Sequence, residues 1–452
     1  MEDILSVVDL IIAPIYLVLF FFIANNIRSR NIENNSSYRY YVPGLMVKMV
    51  GAIAICLVYV YYYGGGDTLI YHRDCVSVAK LFLKNPWQAL RFTFLPLDAE
   101  MFYSFDSETG WLFYSYDAKT MVVDRMNWFL ALVSFNSFIG QTMLLAFICY
   151  YSIWRLYQMF LIEFPTLQRE FAIAILFMPS VVFWGSGLLK DSMTFAAVAA
   201  FTASFHHLLK IRTHTLRNII YIIISSYILI LIKPYIFFAV LPGSILWLVG
   251  YQLSKVTNPL VKSTIAPLLI ALSVLSGYLM LRLMGETLGE YSVTNVLDKA
   301  YVTNQDLKQE YYQGAAFDIG DFDPTVQGIL GKIPAAITAA LFRPYLWEAY
   351  NAGMIMSSVE NFVLLMITIY LVFKMRVYYL FLLMFRHHIL FFSVFFSLFF
   401  SFSVGLTTSN FGSMVRYKIP AIPFFVASLF IIHHTFLQLE KEKAKENNAP
   451  TD

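Results

Sequence analysis

Charged residues are scarce in this sequence: Asp, Glu, Lys and Arg make up only 13% of the 452 residues, and hydrophobic residues make up 59%. Soluble domains carry about a quarter charged residues, so the composition excludes a soluble enzyme as well as a disordered or fibrous chain. Three cysteines are too few for a disulfide framework. The net charge of +3 is too small to indicate a nucleic-acid partner.

Motifs of nucleotide- and zinc-dependent enzymes are also missing, because the sequence contains no Walker loop, Rossmann glycine pattern or HExxH helix. What it does contain is long apolar runs that are rich in Phe and Tyr. A span needs about 20 mostly apolar residues, so the runs predict an all-α polytopic membrane protein with about eleven spans. These spans cover residues 4–24, 45–63, 128–152, 171–187, 191–209, 218–232, 235–250, 263–284, 354–373, 389–405 and 419–436.

Two closely spaced pairs of runs, 171–187 with 191–209 and 218–232 with 235–250, are typical of tight hairpins or of broken helices. Two shorter runs, 333–342 and 377–385, predict helices in the membrane interface.

Basic residues predict the orientation of the spans. The chain begins with the acidic Met1-Glu2-Asp3, unlike a signal peptide, and arginines follow the first span at Arg28, Arg30 and Arg39. Because basic residues favour the cytoplasmic side, the N-terminus is predicted to lie outside and the charged tail 437–452 inside.

One integral membrane domain over residues 1–452 is therefore expected. It has two long extracytoplasmic loops, 64–127 and 285–353, and the second of them contains the interfacial helix 333–342. Functional loops on one face of a helical scaffold are the usual layout of such a site.

A glycine-rich turn with an acid ends the second predicted span, in the segment Tyr61-Tyr62-Tyr63-Gly64-Gly65-Gly66-Asp67. Glycine lets the backbone turn tightly and approach a ligand closely, so Asp67 is a candidate catalytic residue. The alternative is a helix C-cap followed by Asp67 as the N-cap of the next helix. Farther on, His72, Arg73 and Asp74 are candidate substrate-binding residues, although an interfacial polar turn explains them too.

Two further cations lie beside predicted spans. Lys190 and Asp191 stand where a helix begins, and a helix N-terminus with a lysine beside it is an anion site. Alternatively, Asp191 caps the helix and Lys190 extends to the headgroups. Lys233, which precedes Pro234, is a candidate ligand to substrate or a membrane anchor.

Two later segments add candidate substrate-binding residues. Arg343 and Glu348 flank aromatic residues after helix 333–342, and a guanidinium there can grip a phosphate bidentately or simply pair with the glutamate. Asn410 and Arg416 lie in a polar loop just outside the last span, where a basic residue runs against the usual bias.

The sequence gives little indication of a metal site or of transport through the membrane. The acidic run 318–323 lacks the spacing and terminal Glu of an EF-hand, so we expect no cofactor, while a divalent metal stays open. Charges within the predicted spans are few and near their ends, which favours chemistry at the membrane surface over transport through the core. These charges are Asp9, Lys48, Arg282 and Glu360.

The sequence resembles membrane glycosyltransferases of the GT-C type and related polysaccharide polymerases of bacterial surface-glycan pathways. The resemblance lies in the many-span layout and in three segments: GGGDT around Asp67, FRPYLWE at 342–348 and NFGSMVRYKIPAIPFF at 410–425. In those families an early outside loop carries a key acid, and later basic residues serve a lipid-linked phosphate. The resemblance implies these roles for Asp67 and for Lys190, Arg343 and Arg416. Asp67 follows the second span rather than the first, which departs from the family pattern.

The function implied by this resemblance is transfer of sugar from a polyprenyl (di)phosphate donor on the extracytoplasmic face of the bacterial inner membrane. The implied partners are a lipid-linked sugar or oligosaccharide and membrane lipids, with no nucleic acid and with the oligomeric state open. Two alternatives stay open: a transporter or flippase of lipid-linked glycans, and a non-catalytic membrane subunit of an envelope or secretion machine.

Overall fold

The computed structural model describes residues 5–257, 296–306, 317–320, 323 and 325–447. The secondary-structure elements in these residues are helices, and nine of them are long and apolar enough to cross a membrane. The predicted class, an all-α membrane protein with many spans, is thereby confirmed. The nine helices are Val7–Asn31, Ser36–Tyr63, Phe138–Glu163, Lys190–Ile211, Thr215–Ile232, Pro234–Leu253, Gly353–Met375, His388–Thr407 and Ile422–Lys441.

The predicted span 128–152 is interrupted by a turn. Phe135 and Asn136 adopt φ angles of 54° and 59°, which end the helix Met121–Val133. The membrane-crossing helix is instead Phe138–Glu163. The boundaries were wrong because the turn, Ser134-Phe135-Asn136-Ser137, is short and has apolar residues on both sides, so hydropathy averaged over the length of a span does not separate the two helices.

The predicted span 171–187 is a broken helix. It consists of short segments, Gln168–Ala172, the π-helical Ile173–Phe177 and Pro179–Trp184. Proline has no N–H to continue a helix, and Met178 before it is extended, with ψ of 121°. This break lies within the run 171–187 and not between it and 191–209, so the hairpin and the broken helix stay alternatives for that pair.

Three predicted runs remain: 377–385, 263–284 and 333–342. The run 377–385 continues the helix Ala352–Arg386 and is not a separate interfacial element. The predicted span 263–284 lies outside the described residues. The short apolar helix Ile333–Phe342 is present.

The chain folds into two compact units. The first consists of Met1–Gln158, Leu176–Ser204 and Leu216–Lys233, and the second of Met159–Ile175, Phe205–Thr215 and Pro234–Asp452. The candidate residues from Asp67 to Lys233 belong to the first unit, and those from Arg343 to Arg416 belong to the second.

In the first unit, segment 64–127 is largely helical. Its longest helix is Asp67–Lys84, followed by Pro86–Phe94, and Met121–Val133 begins within it. Side chains of all three helices share a buried apolar core, which includes Val78, Phe92 and Ala131. Polar residues at the start of Asp67–Lys84 are therefore carried by a packed helix.

In the second unit, Ile333–Phe342 packs directly on His388–Thr407. A Cβ at Gly405 would lie 2.0 Å from the carbonyl oxygen of Ala336, so this close crossing requires glycine.

Candidate functional site

Two glycines in the first unit set the position of Asp67. Gly64 and Gly66 have φ angles of 65° and 114°, in the left-handed region that favours glycine. A Cβ on Gly66 would lie 2.8 Å from the Tyr59 ring, whereas one on Gly65 would meet no atom within 4 Å. Gly66 is also the N-cap of the following helix, so the capping role considered for Asp67 falls to Gly66 and Asp67 is the first helical residue.

The Asp67 carboxylate is half-buried and faces a tyrosine. The Tyr114 hydroxyl donates to Asp67 Oδ1 over 3.4 Å, a long hydrogen bond. Burial and the negative charge of Asp67 raise the pKa of Tyr114 above its ordinary value, so the phenol stays protonated near pH 7.

Asp74 positions that tyrosine. Its carboxylate is fully buried and accepts the backbone N–H of Phe113 at 3.0 and 2.9 Å and that of Tyr114 at 3.1 Å. Burial raises the pKa of Asp74, and these N–H groups oppose part of the rise. The structure thus gives Asp74, a predicted substrate ligand, the task of fixing the loop beside Asp67.

His72 and Arg73 differ in what they offer a ligand. His72 Nδ1 lies 2.6 Å from Gln141 Oε1, and burial lowers the pKa of His72, so the ring is neutral at pH 7. The Arg73 side chain is 58% exposed, lies 3.8 Å from Asp74 and stacks over the Phe113 ring. Arg73 therefore presents charge to solvent.

Lys190 lies among acids. Its Nζ donates to Thr120 Oγ1 over 2.7 Å, and the Thr120 hydroxyl in turn donates to Asp117. Burial alone would raise the pKa of Asp117. Hydrogen bonds from Thr120 and the charge of Lys190 outweigh this effect, so the pKa of Asp117 lies below its ordinary value. Lys190 also interacts electrostatically with Asp67 and Asp191. The predicted acid and the predicted anion-binding lysine therefore occur together.

Asp191 and Lys233 form a buried ion pair with Nζ 2.5 Å from Oδ1. A buried pair does not match the anchor alternative, in which Lys233 extends to the headgroups. We refer to Asp67, Asp117, Lys190, Asp191 and Lys233 as the acid–lysine cluster.

Asp124 is a buried acid that sequence reasoning did not select. It is fully buried in helix Met121–Val133, and neither carboxylate oxygen has a hydrogen-bond partner among the described residues. Burial and the charge of Asp74 raise the pKa of Asp124 well above its ordinary value, against the charges of Lys190 and Arg125. Its only sequence signal was an acid at the start of an apolar helix, which is also ordinary helix chemistry.

In the second unit, Arg343 and Glu348 pair with each other. Arg343 Nε lies 3.0 and 3.1 Å from the two carboxylate oxygens, and its Nη2 donates to the same group. The guanidinium also stacks over the rings of Phe317 and Phe411, at 4.8 and 5.3 Å from their centroids. Of the two alternatives for Arg343, phosphate contact or pairing, the structure shows the pairing.

The short helix after His388–Thr407 carries the last two candidates, Asn410 and Arg416. Asn410 is buried and caps helix Phe411–Tyr417 by accepting the N–H of Ser413 over 3.2 Å, a structural role. Arg416 is half-buried near the end of that helix.

Lys418, two residues beyond Arg416, is fully buried and was not selected as a site residue. Its Nζ donates to Asn361 Oδ1 over 2.7 Å, and Asn361 Nδ2 donates to the Arg343 carbonyl over 2.9 Å. Burial lowers the pKa of Lys418 to about 8. These bonds tie Lys418 to the segment that carries the Arg343–Glu348 pair.

Lys48 is buried inside a span, not near an end as the sequence indicated. It lies within Ser36–Tyr63, and its Nζ donates to the Gly185 carbonyl over 2.5 Å. Gly185 follows the last segment of the broken helix, so a charge and an interrupted backbone meet at this point.

Within the ranges that the structure describes, no three His, Cys, Asp or Glu side chains are grouped so that they could hold a metal ion. No protein-family model matches the chain, and comparison with curated proteins and with solved structures finds no match either.

Proposed function

We propose that the protein is a membrane-embedded glycosyltransferase or polysaccharide polymerase that takes sugar from a polyprenyl (di)phosphate on the extracytoplasmic face of the bacterial inner membrane. The observation that carries this proposal is that one segment, 113–120, contacts both groups: Tyr114 donates to the Asp67 carboxylate, and Thr120 accepts a hydrogen bond from Lys190. A half-buried carboxylate can accept a proton from a hydroxyl group, and a fixed cation can stabilise a departing phosphate. The acid–lysine cluster supplies both groups.

In the proposed reaction, the acceptor hydroxyl oxygen attacks the anomeric carbon of the donor sugar. The bond from this carbon to the phosphate oxygen breaks, and the lipid (di)phosphate leaves with the electron pair. The hydroxyl proton passes to the Asp67 carboxylate, which the Tyr114 hydroxyl orients. Lys190 stabilises the negative charge that the phosphate gains.

Arg343 has a structural task in this proposal, because Glu348 occupies two of its guanidinium nitrogens. Arg416 stays a predicted phosphate contact, and Arg73, an exposed cation on the same helix as Asp67, stays a predicted substrate contact.

The test is sugar transfer by purified protein in lipid nanodiscs, supplied with a synthetic polyprenyl diphosphate sugar. Asp67→Asn removes the base and should lower the rate about 10²–10⁴-fold. Asp106→Asn is the matched control, because Asp106 is a partly exposed acid of the same segment that pairs with Lys84. Equal rates for Asp67→Asn and Asp106→Asn, with both variants folded, would remove Asp67 from the mechanism.

Lys48 supports a second candidate function, transport or flipping of a lipid-linked glycan. An ionisable residue inside a span, next to a broken helix, is a common feature of transporter sites. Lys48→Met should then slow movement of a labelled lipid-linked oligosaccharide across vesicle membranes, while Lys80→Met, a change at an exposed lysine, should not. Glycan transfer without transbilayer movement favours the enzyme, and movement without transfer favours the transporter.

A further inference from the structure

A groove of about 810 Å³ in the first unit has no role in the chemistry described above. Side chains from five helices line it, and most of them are apolar. Its volume lies within the range of about 300–1,000 Å³ that is typical of small-molecule sites. The helices are Pro86–Phe94, Met121–Val133, Phe138–Glu163, Lys190–His206 and Thr215–Ile232.

The groove opens onto an apolar surface. Phe94, Phe129, Ile148 and Tyr227 line it and are also exposed, Phe94 by 80%. In a membrane protein, an apolar surface this exposed is typical of contact with lipid, and such contact would let a hydrocarbon chain enter the groove from the side.

One wall leads to a lysine of the acid–lysine cluster. Met193, Ala196, Ala197 and Ala200 line the groove and recur at the spacing of one helix face. Lys190 lies three residues before Met193, one turn farther along the same face. The groove wall therefore continues toward the cation that interacts with Asp67.

A second cation lies in the groove itself. Arg125 lines it, and its Nε is buried without a hydrogen-bond partner among the residues that the structure describes. The guanidinium stacks over the Phe92 ring, 5.2 Å from its centroid. Asp124, whose carboxylate oxygens are likewise unpartnered there, interacts electrostatically with both Arg125 and Lys190. The unsatisfied N–H donor of Arg125 calls for an acceptor oxygen from a ligand.

Selectivity in such a groove has to come from the head of the ligand. Within a bilayer, lipid tails are as apolar as the groove, so burying a chain there gains little over leaving it in the membrane. A phosphate bound to arginine forms charge-assisted hydrogen bonds, which are about twice as strong as neutral ones.

We propose that this groove binds the hydrocarbon chain of a polyprenyl phosphate, with Arg125 bonded to the phosphate and Lys190 on the side of the acid–lysine cluster. The identification of the lipid as the sugar carrier rests on the proposed function. The groove, Arg125 and Lys190 are observed independently of that function. The site predicts that phosphate recognition and chain recognition are separable by mutation.

Binding is measured in nanodiscs with a polyprenyl phosphate that carries a photoreactive group on its chain. Wild type should crosslink within the groove-lining helices, and Arg125→Met should weaken binding by about tenfold or more. Ile224→Trp should reduce crosslinking several-fold, because Ile224 lines the groove. Ile223→Trp is the matched control on the same helix: Ile223 is also exposed and does not line the groove.

Three results would overturn the proposal: equal binding by wild type and Arg125→Met, equal crosslinking of the Ile224→Trp and Ile223→Trp variants, or competition by phosphatidic acid or polyprenol as effective as that by polyprenyl phosphate. The outcome is independent of catalysis. Lipid binding in the groove without any sugar transfer would refute the proposed function alone. Sugar transfer that is unaffected by Arg125→Met and Ile224→Trp would refute this site alone.

Discussion

Replacing Gly66 by alanine perturbs the turn that presents Asp67. Gly66 has φ of 114° and ψ of −178°, a backbone region that is essentially restricted to glycine and costs other residues about 1–3 kcal/mol. The added Cβ would also lie 2.8 Å from the Tyr59 ring, so the ring or the turn has to shift. We expect Gly66→Ala to lower the unfolding free energy by about 1–3 kcal/mol and to displace the Asp67 carboxylate from Tyr114.

Gly65→Ala is the matched control one residue away. Gly65 lacks a positive φ, and its Cβ would meet no neighbour within 4 Å. Alanine there reduces the entropy of the unfolded chain, so stability should be unchanged or raised by about 0.4–1 kcal/mol.

Chemical unfolding in mixed micelles gives the stability of both glycine variants, and sugar transfer in nanodiscs gives their activity. If Gly66→Ala and Gly65→Ala are equally stable and equally active, the turn does not position Asp67 and this reasoning is refuted.

Two further predictions concern buried charge in the first unit. Lys233→Met removes the cation that pairs with the buried Asp191 carboxylate and should destabilise the protein by about 3–5 kcal/mol, whereas adding Asp191→Asn should restore much of this loss; equal unfolding midpoints for the single and double variants would contradict the ion pair. The pKa of Asp124 is raised on folding, so its contribution to stability is full below about pH 4 and is lost as the pH rises toward the folded pKa. Asp124→Asn should remove this loss, so the variant gains thermal stability over wild type as the pH is raised from about 4, and parallel pH curves would contradict it.

The long helices were predictable because a bilayer requires long apolar runs, and nine such helices occur in the described residues. The ends of the helices were harder to predict from the sequence. The turn at Phe135 and Asn136 depends on backbone angles that apolar composition does not reveal. Pro179, in contrast, gave a local signal for the broken helix.

The environments of the candidate residues were likewise predictable only where they depend on neighbours in the sequence. The tight turn before Asp67 was predictable because the glycines beside it have a local conformational role. Asp124 was not, because its isolation depends on how helices distant in sequence pack around it. Arg343 could bind phosphate or Glu348 on sequence grounds, and the rings of Phe317 and Phe411 that hold it belong to separate segments.

The central claim is that Asp67 accepts a proton during sugar transfer from a lipid (di)phosphate. The most direct test measures released lipid (di)phosphate and glycosylated acceptor together, for wild type, Asp67→Asn and Asp106→Asn in nanodiscs. We predict equal amounts of both products from wild type and Asp106→Asn, and a rate lower by about 10²–10⁴-fold for a folded Asp67→Asn variant. Neither product from wild type, or an unchanged rate for Asp67→Asn, would contradict the claim.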